Sequence, residues 1–427
     1  MNHRLLRILF PLASTLVFIS FWLLAVPRAA ESALPGETAK AGLASPAPRV
    51  TYAVHHDVSP RLRDLYSAPA EGQMQAAALL SDAPFPLMKT TNTHAQATAP
   101  DPAFQLEVLT TTAPLPMFNF EGLGQVSNRI LASGAVVPAD PNGDIGPNHY
   151  VQWVNLSLGI WEIDRLTLQA TLVYSAPGNS VWKGFGEACE ILNDGDPIVL
   201  YDHLADRWLI SQFAIAGGQG PYYECVAVSQ SADPTGAWNR YQYRWQNSAS
   251  EDVFNDYPKF GVWPDGYYMT VNQFSPGSSE WRGAGIAALE REKMLAGLPA
   301  RMVYFDLFDV NPNFGGILPA DLDGPPPPAG TPNFLAEVDD STWLFDQKDT
   351  LRIWEFHVNW LNPTSSTLGL DGDPNQKLPV ADFIPYTAGS SSACLTQNCI
   401  PQPNSAPKLD AIGDRLMHRL QYRYFNS

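Results

Sequence analysis

The strongest constraint in this chain is a phrase that returns. "DPNGDIGPNHYVQWVN" begins at Asp140, "DPIVLYDHLADRWLISQFA" at Asp196 and "DYPKFGVWPDGYYMTVNQF" at Asp256. A looser copy, "DLDGPPPPAGTPNF", begins at Asp321, so the leading aspartates are spaced 56, 60 and 65 residues apart. Each is followed by strand-like runs such as "HYVQWVNL", "RWLISQFAI", "YYMTVNQF" and "NFLAEVDD". Second runs follow, "LGIWEID", "YYECVAVSQ", "GAGIAALER" and "LRIWEFHVNW". Alternating apolar and polar positions separated by Gly, Pro, Asn and Asp are the marks of an antiparallel meander. One such sheet cannot bury both of its faces alone. A meander repeated at this period therefore predicts sheets stacked around an axis, an all-β fold of the β-propeller type.

The count reaches four fairly complete blades between about 137 and 385, with a fifth inner strand in "LDAIGDRLMHRLQYRYF". The reading is a five-bladed β-propeller, either closed by the segment around "FNFEGLGQVSNRILASGAVV" or left incomplete at the C-terminus, in preference to six or seven blades or to two packed sandwiches. Pro is tolerated where an inner strand begins, since that residue need not donate to a ladder, and the aspartates are expected to face a central channel.

Three regions precede or make up this body. Residues 1–30 carry "MNHRLLR" and an apolar run from Ile8 to Val26, which reads as a cleaved signal peptide or a retained signal anchor. Residues 31–116 are rich in Pro, Ala, Ser and Thr and read as an extended leader or linker, with "RVTYAVHHDVSPRLRDL" as a patch of structured texture. Residues 117–427 form the propeller-like domain. The expected location is extracytoplasmic, secreted or at the cell surface. Four cysteines suit an oxidising compartment: Cys394 with Cys399 around "LTQN", and Cys189 with Cys225 across 36 residues, although four cysteines allow three pairings.

Charge narrows the partners. A net charge of −17 excludes a phosphate-binding groove, and so nucleic acid, and leaves neutral or cationic partners. It likewise excludes electrostatic docking on anionic lipid, so any membrane contact is confined to the N-terminal segment.

The recurring wording resembles that of exported bacterial proteins of unassigned activity, over roughly Phe118 to Phe425. That resemblance implies a propeller-like repeat and brings no catalytic residues with it. A looser similarity links the Asp-plus-strand phrase to five-bladed glycosidase propellers, whose inner-strand carboxylates act at a central funnel.

Several constellations could carry chemistry. Asp140, Asn142 and Asp144 alternate as D-x-N-x-D, a spacing that offers oxygens to a hard cation such as calcium, although the Gly and Glu of an EF-hand are absent. Asp371, Asp373 and Asn375 repeat the spacing in what reads as an Asx turn. Asp196, Asp256 and Asp321, with Asp323, are expected to converge on the axis. With acid and base roles divided among them, Asp196, Asp256 and Asp321 would be the catalytic residues of a glycoside hydrolase. No Glu takes a corresponding inner position, and no H-E-x-x-H, G-x-S-x-G or P-loop is present. His149, His203, His357 and His418 occupy non-equivalent places in the repeats. Trp263, Tyr267 and Trp281 lie in or beside "WPDGYY" and "EWRGAG", where exposed rings would stack on a sugar face. The functional expectation is a secreted propeller binding a carbohydrate, protein or cell-envelope ligand, with glycoside hydrolysis as the alternative.

Overall fold

A computed structural model describes residues 46–65, 79–81, 116, 118–132, 135–137, 139–341, 348–383, 398–402, 405–410, 415–417 and 419–425. The N-terminal apolar run lies outside the described residues. Among the described ones, no helix is long and apolar enough to cross a membrane.

The chain opens with β1 (Arg49–Tyr52), β2 (His55–Val58) and a single helical turn, α1 (Leu62–Leu65). β3 (Leu79–Ser81) later pairs in parallel with β4 (Ala135–Val137), on either side of α2 (Gln125–Leu131). Blade one follows as an antiparallel meander, β5 (Pro141–Ile145), β6 (His149–Val154), β7 (Ser157–Asp164) and β8 (Gln169–Pro177). A 3-10 turn at Gly178–Trp182 and helix α3 (Glu187–Ile191) lead to blade two. Blade two is β9 (Ile198–Asp202), β10 (Arg207–Ile215), β11 (Tyr222–Ser229) and β12 (Trp238–Trp245). Blade three is β13 (Phe254–Trp263), β14 (Gly266–Phe274), β15 (Trp281–Leu289) and, after α4 (Arg291–Leu295), β16 (Arg301–Asp306). Blade four is β17 (Leu318–Leu322), β18 (Asn333–Asp339) and β19 (Thr350–His357), with the short outer strands β20 (Thr367–Leu368) and β21 (Gln376–Pro379) both on β19. A hairpin of β22 (Asn398–Gln402) and β23 (Ser405–Asp410) precedes the last strand, β24 (Leu420–Tyr422).

The blades stack as the repeat requires. Neighbouring residues on a strand face opposite sides. In β10, Leu209 joins an apolar core shared with blade three, while Ile210 joins one shared with blade one. A third core joins blades three and four through Trp263, Tyr268, Phe305, Trp354 and Phe356. Two-sided burial is what makes these strands read as near-continuous apolar runs.

Two features lie beyond the meander pattern. The patch at 49–58, inside the stretch expected as a leader, adds outer strands to two successive blades: β1 pairs with β16 and β2 with β12. Arg240, itself buried, holds this addition through Asp57 at 2.7 and 2.5 Å. The expected fifth inner strand is present as β24, but it hydrogen-bonds in parallel to β17 and extends the sheet of blade four. Among the described residues no further meander is built on it.

The bond between Cys189 and Cys225 is formed, with a Cα–Cα distance of 5.8 Å, and fastens α3 to β11. Cys394, expected to pair with Cys399, lies outside the described residues.

Candidate functional site

The Asp-Pro phrase has a backbone cause. Asp140, Asp196 and Tyr257 each precede a proline and each adopt positive φ, at 39°, 46° and 55°. Asp tolerates this left-handed region because its short polar side chain can bond locally, whereas Tyr there is strained. Two of these turns precede the inner strands of blades one and two, and the third sits inside β13, three residues after its start. Pro258 sits where β13 breaks register between Asp256 and Lys259, so its missing N–H costs no ladder bond.

These turns bring Asp140, Asp196 and Asp256 into one electrostatic cluster with Lys259 and Arg415. Burial, then the charge of Asp196 and a hydrogen bond with it, raises Asp140 to about 7. Burial, then the same Asp196 charge, pushes Asp256 well above the usual carboxylate range. Burial pulls Lys259 below its ordinary value, against the three carboxylates that favour its charge. Lys259 Nζ lies 3.5 Å from the centroid of the Tyr257 ring, and the Arg415 guanidinium lies 5.1 Å from it. Asp140, Asp196, Tyr257, Lys259 and Arg415 are all half-buried and so remain within reach of solvent. Near neutral pH the Asp140–Asp196 pair can hold one proton between two carboxyls, so it can both donate and accept.

One stability consequence follows from Asp140. The folded protein keeps a proton there that the unfolded chain, at 3.8, has already released. That contribution is full below about pH 4 and is lost as pH rises through 7. Asp140→Asn removes the loss. Urea titrations should find the variant gaining about 1–2 kcal/mol over the native protein on going from pH 5 to pH 8.

The remaining expected residues go elsewhere. Asn142 and Asp144 do not converge with Asp140, because they lie on a strand and serve as mortar between blades. Asn142 Oδ1 accepts from Val199 N–H at 2.9 Å, and Asp144 Oδ2 from Tyr201 N–H at 2.8 Å. Among the described residues no three His, Cys, Asp or Glu side chains gather to hold a metal ion. Asp321 is engaged with other partners. It accepts from Val262 N–H at 2.8 Å and pairs with Arg419, while burial raises it to about 6. Asp323 pairs with Arg423 at 2.7 Å. Arg419 thus links Asp321 to Asp144 across blades four and one. Asn375 Oδ1 accepts from Glu355 N–H at 2.7 Å.

Trp263 and Tyr267 are not a stacking platform. They are 1% and 0% exposed, committed to the cores between blades, with Trp263 Nε1 donating to Thr331 and the Tyr267 hydroxyl to Asp202. A ring beside a tight hairpin turn is drawn inward here because both faces of the blade are covered. Trp281 stays half-buried, edge-on to Phe274 at 5.4 Å. His149, His203 and His357 are dispersed, His203 contacting the Gly324 carbonyl oxygen at 2.7 Å. His418 lies outside the described residues.

Sequence reasoning missed Glu224. It is 1% exposed in β11, takes a bond from Asn255 Nδ2 at 2.9 Å, and is raised to about 8 by burial. The charge of Asp196 also acts on it. Its signal was present: Tyr222, Val226 and Val228 occupy the same face of the alternation and are all core.

No family model and no curated protein matches the sequence. Solved structures overlap it distantly. A Penicillium chrysogenum alpha-L-arabinanase, solved with arabinobiose, shares 10% identity over 56% of this chain at a TM-score of 0.33. The overlap spans 66% of that enzyme, a little under two thirds of its length. A Phanerochaete chrysosporium exo-beta-1,3-galactanase shares 9% over 58% of this chain and 51% of its own, at 0.31. A Bacillus subtilis arabinanase shares 11% over 56% and 79%, at 0.28. The propeller assignment stands on the chain's own strand pairing.

Proposed function

We propose that the chain is an extracytoplasmic β-propeller that binds a polyhydroxylated ligand, carbohydrate by class, at the axial cluster of Asp140, Asp196, Asp256, Lys259 and Arg415. The observation that carries this reading is the convergence of carboxylates from three blades beside cations and a half-buried Tyr257 ring. Fixed acceptors, fixed donors and one aromatic face are what sugar hydroxyls and a sugar ring require. The Cys189–Cys225 bond supports the extracytoplasmic placement, since such bonds persist in oxidising compartments.

Glycoside hydrolysis is the second reading. It is favoured by Asp140 at about 7 and by the raised Asp256, either of which could stay protonated as an acid. Against it, Asp140 and Asp196 are in direct hydrogen-bond contact, closer than the roughly 5–10 Å that separates acid from base or nucleophile in glycosidases.

A glycan array and a panel of chromogenic glycosides, run on the purified protein, separate the two. Binding without turnover, weakened at least tenfold in Asp196→Asn and Asp256→Asn, is the expected result. Turnover abolished by both substitutions would establish the second reading instead. Binding unaffected by either would remove the axial site from both.

A further inference from the structure

We infer that the seam between blades two and three is a binding site for one enclosed water molecule, held by Ser211, Glu224 and Asn255 close to the axial cluster. Strand alternation delivers the three side chains to one layer. On β10, Ser211 shares a face with Leu209 and Phe213, and on β11, Glu224 shares one with Tyr222 and Val226; that face packs on blade three. Ser211 opposes Val226 and Glu224 opposes Phe213, so the two polar side chains are diagonal neighbours. Asn255 enters from β13 of blade three. Its Nδ2 donates to Glu224 Oε2 at 2.9 Å and to the Tyr223 carbonyl at 3.4 Å.

Three atoms of this group are left over. Ser211 Oγ, Glu224 Oε1 and Asn255 Oδ1 are closed to solvent and, among the described residues, have no hydrogen-bond partner. The residues that carry them are 0%, 1% and 0% exposed. Buried polar groups are costly to leave unpaired, and three orphans in one layer call for a shared partner. Burial raises the Glu224 carboxyl and the nearby Ser211 hydroxyl eases it, yet that hydroxyl is in bonding geometry with neither Glu224 nor Asn255. A proton on Glu224 would turn one acceptor into a donor and still leave Ser211 Oγ alone.

Water matches the whole remainder. It donates to the carboxyl oxygen and to the amide oxygen and accepts from the hydroxyl, the roughly three bonds that enclosed waters make. A hard cation does not match. Calcium asks for about six to eight oxygens, and one carboxyl, one amide and one hydroxyl fall well short. The water fastens Asn255 to blade two. Since Asn255 is the residue before Asp256, the guest fixes the chain where it enters the axial cluster.

The site is closed to solvent, so it is separate from the ligand position proposed above and stands without it. A crystal structure of the full chain, at a resolution that shows ordered water, reads it directly. One peak is expected within about 2.6–3.2 Å of Ser211 Oγ, Glu224 Oε1 and Asn255 Oδ1. In solution, oxygen-17 relaxation dispersion counts the long-lived internal waters. Asn255→Leu, which withdraws the amide and fills its space, should lower that count by one. Ser211→Ala, which removes one of three bonds, should shorten the residence of that water about tenfold. An empty seam overturns the assignment. So does a Glu224 carboxyl bonded straight to the Asn255 amide oxygen, a cation ringed by about six oxygens, or an unchanged count in Asn255→Leu. The crystal uses the native chain, so it decides even if a variant fails to fold.

Discussion

Asp202→Ala should destabilise the protein by about 3–5 kcal/mol, read from the urea midpoint at unchanged slope. Asp202 ends the inner strand of blade two and is fully buried. It receives Arg291 Nε at 2.7 Å and Nη2 at 2.9 Å, together with the Tyr267 hydroxyl at 2.8 Å. Arg291 and Tyr267 both belong to blade three, so one carboxylate ties two blades together. Removing it leaves a buried guanidinium without its counter-charge, and the desolvation already spent on that cation is no longer offset. Tyr267→Phe is the control. It deletes one hydrogen bond to a charged acceptor and should cost about 1.5–3 kcal/mol. Equal losses in the two variants would mean that the ion pair adds nothing beyond the phenol.

Replacing both Cys189 and Cys225 by Ala should cost about 3–4 kcal/mol. The bond closes a loop with a sequence separation of 36. Opening it returns conformational freedom to the unfolded chain in proportion to the logarithm of that length. Both residues are fully buried in the core between blades one and two, so Ala also leaves a small void. The same loss should appear when the native protein is unfolded in a strong thiol reductant. A variant as stable as the reduced native protein would confirm that the bond, and not the void, carries the effect.

Much of the architecture was legible because it is local. Meander strands separated by Gly, Pro, Asn and Asp declare themselves within each repeat, and the Asp-Pro phrase does begin the inner strands of blades one and two. What was not legible depends on partners far apart. Nothing in "RVTYAVHHDV" names β16 and β12 as its neighbours, since an outer strand pairs through backbone groups that every residue carries. The axial site was half-read. Spacing alone reads Asp140 as a cation ligand and Asp196 as a catalytic acid or base, yet the two carboxyls meet each other. Lys259 was passed over because one lysine after a proline carries no pattern. Trp263 and Tyr267 were misplaced for a related reason: turn residues promise exposure only when the next sheet does not cover them.

The outer strands at 49–58 also set an order of events. Asp57 reaches its partner Arg240 across 183 residues of sequence, so this earlier stretch has nothing to pair with until blade two exists. Synthesis from the N-terminus therefore leaves that stretch waiting until the meanders of blades two and three have formed and stacked. Its docking is a late clasp on a finished rim.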